Sequence, residues 1–100
     1  MSKSIHRPEY AVLTELLRDA RLRAGKHQAD VAAALDRSQS FVSDVELGAR
    51  RLDLLELRDL CQILGVDFLD FVRVLDQAIR ALPAPRRGGA KRKSQSRRNG

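Results

Sequence analysis

The sequence has 100 residues, about the length of one small domain. Hydrophobic residues make up 43% and aromatic residues only 4%, so a modest interior of Leu, Val and Ala is expected, which favours packed helices over a sheet sandwich. The single cysteine, Cys61, excludes an intramolecular disulfide and fits a reducing, cytoplasmic compartment. No apolar run approaches the roughly 18 residues of a transmembrane helix, and residues 1–10 lack the apolar segment of a signal peptide.

The formal net charge of +6 is unevenly distributed along the chain. Residues 1–82 hold 12 Lys or Arg and 13 Asp or Glu, whereas residues 83–100 hold seven basic residues and no acidic one. The high isoelectric point is therefore a property of the tail. We expect the folded part to bind a partner through locally placed charge, while the tail adds a general attraction to polyanions.

Hydrophobic periodicity predicts five helices and no strand. The predicted helices span 9–24, 28–35, 39–47, 54–64 and 68–82. A capping-box pattern of Asp53 and Glu56 opens the fourth helix, and Asp67 caps the fifth. Gly25, Gly48 and Gly65 follow helical segments, where a left-handed cap is expected.

These boundaries predict a flexible N-terminus at 1–8, one domain at 9–82 and a tail at 83–100. The tail is rich in Pro, Gly, Ser and charge, which predicts disorder. Its basic residues suit phosphates, RNA or an acidic partner, or simply maintain solubility.

Helices 28–35 and 39–47 are separated only by Asp36, Arg37 and Ser38. The second helix has apolar inward positions at Val42 and Val45, and its outward positions are small and polar. Two helices joined by about three or four residues, with a polar face on the second, predict a helix-turn-helix at 28–47.

The outward side chains of helix 39–47 have the chemistry to read base edges. Gln39, Ser40, Ser43 and Asp44 share one side of its first turns. A major groove admits a helix, and glutamine pairs bidentately with adenine. The alternative is that these side chains merely solvate a surface helix. Phe41 is expected to pack on a neighbouring helix, the alternative being contact with a thymine methyl.

Three arginines flank this helix: Arg37 in the turn, and Arg50 and Arg51 after Gly48. Each is a candidate phosphate contact that sets the register on a duplex, with solvated surface charge as the alternative. Ser38 is placed to cap the helix.

Taken together, an ordered set of residues resembles the Cro/phage-repressor (XRE-type) helix-turn-helix family, over roughly residues 9–75. The matching residues are Leu17, Arg18, Arg21, Gly25, Gln28, Val31, Ala32, Leu35, Ser38, Gln39, Ser40, Val42, Ser43, Val45, Glu46, Gly48, Arg50, Arg51, Leu60, Leu64, Gly65 and Val66. The resemblance implies an all-α, five-helix, lambda-repressor-like domain. It also implies a sequence-specific regulator that binds double-stranded DNA. We expect this regulator to act as a dimeric repressor and to need no cofactor or metal.

The resemblance assigns roles residue by residue. It implies that Gln39, Ser40, Ser43 and Asp44 face the bases, and that Gln28 and Ser38 join the three arginines as phosphate contacts. Gln28 opens helix 28–35, where free backbone N–H groups favour an anion. The resemblance also implies an ion pair between Arg21 and Glu46 that joins helix 9–24 to the end of helix 39–47.

Four positions depart from the family pattern. Asp36 occupies a turn position that is usually glycine, and His27 replaces a capping Ser or Thr. Asp44 and Leu47 stand where close relatives carry basic residues, and a carboxylate facing DNA is repelled unless it accepts from a cytosine. These two residues favour an alternative function, a protein-interaction module of antitoxin or adaptor type that docks a toxin or another protein.

The fifth helix carries a heptad seam of Phe68, Val72, Leu75, Ile79 and Leu82, with Phe71 on its flank. We expect its first part to pack on helices 9–24 and 54–64, and Leu75, Ile79 and Leu82 to contact a second copy. The alternative is that the whole helix serves the monomer core. No phosphate loop, triad or ligand-spaced cluster is present, and Cys61 lies on an apolar face, so we expect neither catalysis nor membrane association.

Overall fold

A computed structural model describes residues 7–83 and contains five helices without a strand in that range. The helices are α1 (Pro8–Arg23), α2 (Gln28–Leu35), α3 (Gln39–Leu47), α4 (Leu54–Leu64) and α5 (Phe68–Arg80). The all-α, five-helix prediction is confirmed, and α2, α3 and α4 have the predicted bounds. Most of the predicted N-terminal segment 1–8 and of the tail 83–100 lies outside the described residues.

The predicted bounds of α1 and α5 were wrong by one or two residues. Proline lacks an N–H and suits the first helical turn, so α1 begins at Pro8 rather than at residue 9 and ends at Arg23. α5 ends at Arg80 because the next residues form tighter turns, in which the Leu82 N–H donates to the Ile79 carbonyl at 3.0 Å.

Side-chain caps fix the starts of the last three helices. The Asp53 carboxylate accepts from the Glu56 N–H at 2.7 Å, and the Glu56 carboxylate accepts from the Asp53 N–H at 2.9 Å. Asp67 accepts from the Asp70 N–H at 3.0 Å, and Ser38 Oγ accepts from the Phe41 N–H at 3.3 Å. These caps satisfy backbone donors that have no partner within the helix.

The turn between α2 and α3 has left-handed backbone at Asp36, with φ of 59°. A β-carbon in this region costs about 1–2 kcal/mol, although aspartate tolerates it better than most residues. The turn predicted from Asp36, Arg37 and Ser38 therefore forms without glycine. It brings the first turn of α3 close to α2.

The core lies where α1, α2, α3 and α4 meet, and α5 packs on α1 and α4. Its buried hydrophobic residues are Leu17, Ala20, Val31, Ala32, Phe41, Val42, Val45, Leu57, Leu60, Cys61, Leu64 and Phe71. One side of α3 supplies three of these residues. Its other side is consequently directed away from the body of the domain.

The predicted seam of α5 is not the centre of its buried face. Phe71, which the heptad placed on the flank, is 7% exposed, whereas Phe68, Val72 and Leu75 are only partly buried. A groove between α5 and α1 is lined by Phe71 and Leu16, and Val74 at the same groove is 48% exposed. Predicted packing on α1 and α4 is confirmed.

Cys61 is 1% exposed and belongs to the core, as the sequence predicted. Burial raises the pKa of its thiol to about 11, with a smaller contribution from Asp67. The thiol is therefore almost entirely protonated at neutral pH, which is typical of a structural cysteine. Within residues 7–83, no helix has both the length and the hydrophobicity needed to span a bilayer.

Candidate nucleic-acid interface

The outward side of α3 presents polar side chains to solvent. Gln39, Ser40 and Asp44 are exposed, and Ser43 is half-buried, whereas Phe41, Val42 and Val45 point into the core. Ser40 Oγ lies 3.0 Å from Ser38 Oγ, so the two hydroxyls share a hydrogen bond at the start of the helix. The structure thus brings the four predicted base-facing residues to one accessible surface.

A buried ion pair attaches α3 to α1. Arg21 Nε donates to Glu46 Oε2 at 2.7 Å, and Arg21 Nη2 donates to Glu46 Oε1 at 3.0 Å. Their side chains are only 11% and 7% exposed. Arg21 Nη1 also donates to the Lys26 carbonyl at 2.9 Å, which ties the α1–α2 loop to the same group. This bidentate geometry fixes the orientation of α3 on the body of the domain.

Opposing effects act on the pKa of Glu46. Burial alone would raise this pKa, because it removes water from the charged form. Hydrogen bonds from Arg21 and Gln28, together with the positive charges of Arg21 and Arg18, outweigh burial and hold the pKa below its ordinary value. Glu46 is therefore ionised at neutral pH and remains paired with Arg21.

Gln28 joins the Arg21–Glu46 pair through a hydrogen bond to Glu46. Its Nε2 donates to Glu46 Oε1 at 3.0 Å, and the residue is half-buried at the start of α2. A glutamine amide carries two N–H groups, so one remains for another acceptor. The family resemblance implied a phosphate-binding role for Gln28 and did not predict its bond to Glu46.

Arg37 and Arg50 converge beside α3 rather than extending separately into solvent. The Arg37 guanidinium carbon lies 3.9 Å from the centroid of the Phe41 ring, and that of Arg50 lies 4.8 Å from it. Arg50 Nη2 is 2.8 Å from Glu56 Oε2, and Arg37 Nη1 is 3.5 Å from the same oxygen. We call Arg37, Arg50, Phe41 and Glu56 the arginine cluster. Phe41 packs in the interior, as predicted, with 8% exposure.

Tyr10 anchors the loop that follows α3, a role that was not predicted from the sequence. Its hydroxyl donates to the Arg50 carbonyl at 3.1 Å and accepts from the Leu52 N–H at 3.1 Å. The partners lie 40 and 42 residues away along the chain. A polar hydroxyl on the apolar face of α1 was the single available signal, and it does not identify a partner.

Arg51 and Leu47 occupy the far end of the surface, and both are exposed. Leu47 is 74% exposed, and Leu54 and Leu55 at the start of α4 are 66% and 71% exposed. Leu47 therefore exposes an apolar side chain at the end of α3, where the family pattern has a basic residue. Within residues 7–83, no cluster of three or more His, Cys, Asp or Glu side chains has a geometry suited to a metal ion.

Comparison with known proteins agrees with this geometry. A family model described as a helix-turn-helix domain matches residues 12–75. The chain is also 42% identical to an XRE-family like protein from Pseudomonas syringae pv. tomato str. DC3000. That match has a TM-score of 0.70 and covers 77% of this chain and 94% of that protein. The chain belongs to the XRE family of helix-turn-helix proteins.

A second solved structure has the same fold as this chain. It is a mutant of the restriction-modification controller protein C.Esp1396I, with 23% identity and a TM-score of 0.67. The match covers 75% of this chain and 95% of the controller protein. No curated protein matches the sequence. The predicted family is thus confirmed, and α2 and α3 are its helix-turn-helix.

Proposed function

We propose that this XRE-family protein is a transcriptional regulator that binds double-stranded DNA with α3 in the major groove. The observation that carries the proposal is the exposed polar face of α3 on a helix that the Arg21–Glu46 pair holds rigidly. Gln39, Ser40, Ser43 and Asp44 then face the bases. Their amide, hydroxyl and carboxylate groups supply the donors and acceptors that base edges recognise.

Candidate phosphate contacts lie beside this helix. Arg37, Arg50 and Arg51 provide positive charge, and Ser38 and the free amide N–H of Gln28 provide hydrogen-bond donors. These groups set the register without reading sequence. Because residues 7–83 carry a slightly acidic balance, binding depends on this local placement of charge.

We further propose that the protein acts as a dimer, with Leu75 and Ile79 of α5 and Leu82 just beyond it in the contact. All three are partly exposed in the single chain, so each has apolar surface left to bury. Two copies would present two α3 helices to half-sites about one helical turn apart. A dimer selects an inverted repeat, whereas a monomer selects a single half-site. Covering such an operator would repress transcription.

Replacing Asp44 by lysine tests whether this face meets DNA. The change exchanges a repelled carboxylate for a phosphate-binding ammonium, so we expect Asp44→Lys to tighten binding to an unrelated duplex at low salt. Salt titration by fluorescence anisotropy measures the effect. Asp59→Lys on α4 makes the same change of charge at another exposed position. An affinity that rises no more for Asp44→Lys than for Asp59→Lys would argue against DNA at α3.

A second candidate function is protein binding through the same region. Leu47, Leu54 and Leu55 are the observation that favours it, because large exposed side chains of this kind suit a protein partner better than phosphates. An antitoxin would combine this partner surface with DNA binding. A rise in affinity specific to Asp44→Lys would favour DNA over a protein partner at α3.

A further inference from the structure

Glu56 connects more groups than its place in the α4 cap requires. One carboxylate oxygen accepts from the Asp53 N–H at 2.9 Å. The other lies 2.8 Å from Arg50 Nη2 and 3.5 Å from Arg37 Nη1. The Glu56 side chain is 21% exposed, which makes it half-buried beneath two arginines that are each about 40% exposed. One carboxylate therefore serves as the counter-ion for both.

The Phe41 ring restricts the same two guanidinium groups from a second direction. A guanidinium stacks on an aromatic face, and both arginine carbons lie within 5 Å of the ring centroid. The Arg50 backbone is also fixed, since its carbonyl accepts from Tyr10 and its N–H donates to the Asp44 carbonyl at 3.2 Å. Arg50 Nη1 donates to the Arg51 carbonyl.

Donor groups remain in the cluster for a ligand. A guanidinium has five N–H donors, and these contacts engage only some of those on each arginine. Both side chains keep substantial exposure. The arginines are thus held in place and still able to bind an anion.

We propose that Glu56 is a positioning residue, which with Phe41 holds Arg37 and Arg50 together as one phosphodiester-binding unit beside α3. The proposal rests on the proposed DNA-binding function and adds a group that does not itself touch DNA. Ordering a long, flexible arginine side chain on binding has a cost in side-chain entropy. A cluster formed before DNA arrives avoids this cost for two arginines.

The sign of one substitution separates positioning from simple electrostatics. Glu56→Gln removes a negative charge from a DNA-facing region, so an electrostatic role alone predicts tighter binding. Positioning predicts weaker binding because the arginines lose their shared counter-ion. Glutamine suits the third position of a capping box, so the variant keeps the start of α4.

The test measures the affinity of purified full-length variants for the duplex selected by the wild-type protein. We expect Glu56→Gln to bind roughly tenfold more weakly, which is the ordering cost of the two arginines. The slope of log affinity against log salt should stay near the wild-type value, because both guanidinium cations remain available to phosphates. Glu15→Gln makes the same change at an exposed position of α1 and should not weaken binding.

A second variant keeps every charge and the whole cap. Arg37→Lys combined with Arg50→Lys retains both cations, but lysine neither stacks nor shares an acceptor as the planar guanidinium does. We expect this variant to lose affinity as well, at unchanged helicity by circular dichroism. Equal or tighter binding by folded Glu56→Gln, or wild-type affinity in the double lysine variant, would overturn the proposal. A wild-type protein that selects no duplex would instead contradict the proposed function.

Discussion

Glu46→Ala should lower the free energy of unfolding by about 3–5 kcal/mol, because it leaves the Arg21 guanidinium buried without its carboxylate. Arg21 and Glu46 form two charge-assisted hydrogen bonds of 2.7 and 3.0 Å at side chains that are nearly inaccessible. The free energy of unfolding of a small domain is about 5–15 kcal/mol. The loss is therefore a large share of the total, and thermal melting should show a fall of tens of degrees.

The matched control for this variant is Glu15→Ala. Glu15 is an exposed glutamate on α1, so its removal should change stability by less than about 0.5 kcal/mol. Glu56 is a poor control because it caps α4 and binds Arg50. Equal melting temperatures for Glu46→Ala and Glu15→Ala would contradict a structural role for the pair.

The same pair predicts a pH dependence. Since the pKa of Glu46 is lowered in the folded protein, its contribution is complete above the ordinary glutamate pKa. That contribution is lost as the pH falls through the lower, folded-state value. Wild-type stability should therefore fall more steeply on acidification than that of Glu46→Ala, which denaturant titration between neutral and acidic pH will measure.

Gln39→Ala should weaken binding to the selected duplex by about 5-fold to 150-fold, the equivalent of about 1–3 kcal/mol for a bidentate contact with adenine. Gln39 is exposed in the first turn of α3, where recognition helices meet base edges. Binding to an unrelated duplex should change little, because it depends on phosphate contacts.

Competition assays with single base-pair substitutions in the duplex will locate the contact. The variant should lose discrimination at one position of each half-site and keep it at the others. Gln62→Ala, at an exposed position of α4, is the control. If Gln39→Ala and Gln62→Ala bind alike, Gln39 does not face a base.

Local signals made most of the fold predictable. Asp53 with Glu56, Asp67 and Ser38 each mark a helix start through a hydrogen bond that spans three residues. Such contacts depend only on spacing along the chain. The family resemblance predicted that Arg21 and Glu46 form an ion pair. The two residues are separated by 25 positions, and in the structure their side chains are hydrogen-bonded.

The contacts that could not be predicted join distant segments by long side chains. Arg37 and Glu56 are 19 positions apart, and Tyr10 binds a loop 40 residues away. Hydrophobic periodicity along the chain carries no information about contacts between side chains that are far apart in the sequence.

The most direct test of the account is selection of bound duplexes from a random pool by the full-length protein. A polar α3 face that reads the major groove, presented twice by a dimer, predicts enrichment of one inverted repeat with half-site centres about 10–10.5 base pairs apart, or a multiple of that spacing. Gln39→Ala should change the enriched sequence. Recovery of no common sequence after repeated rounds, by a protein that is folded, would contradict the central claim.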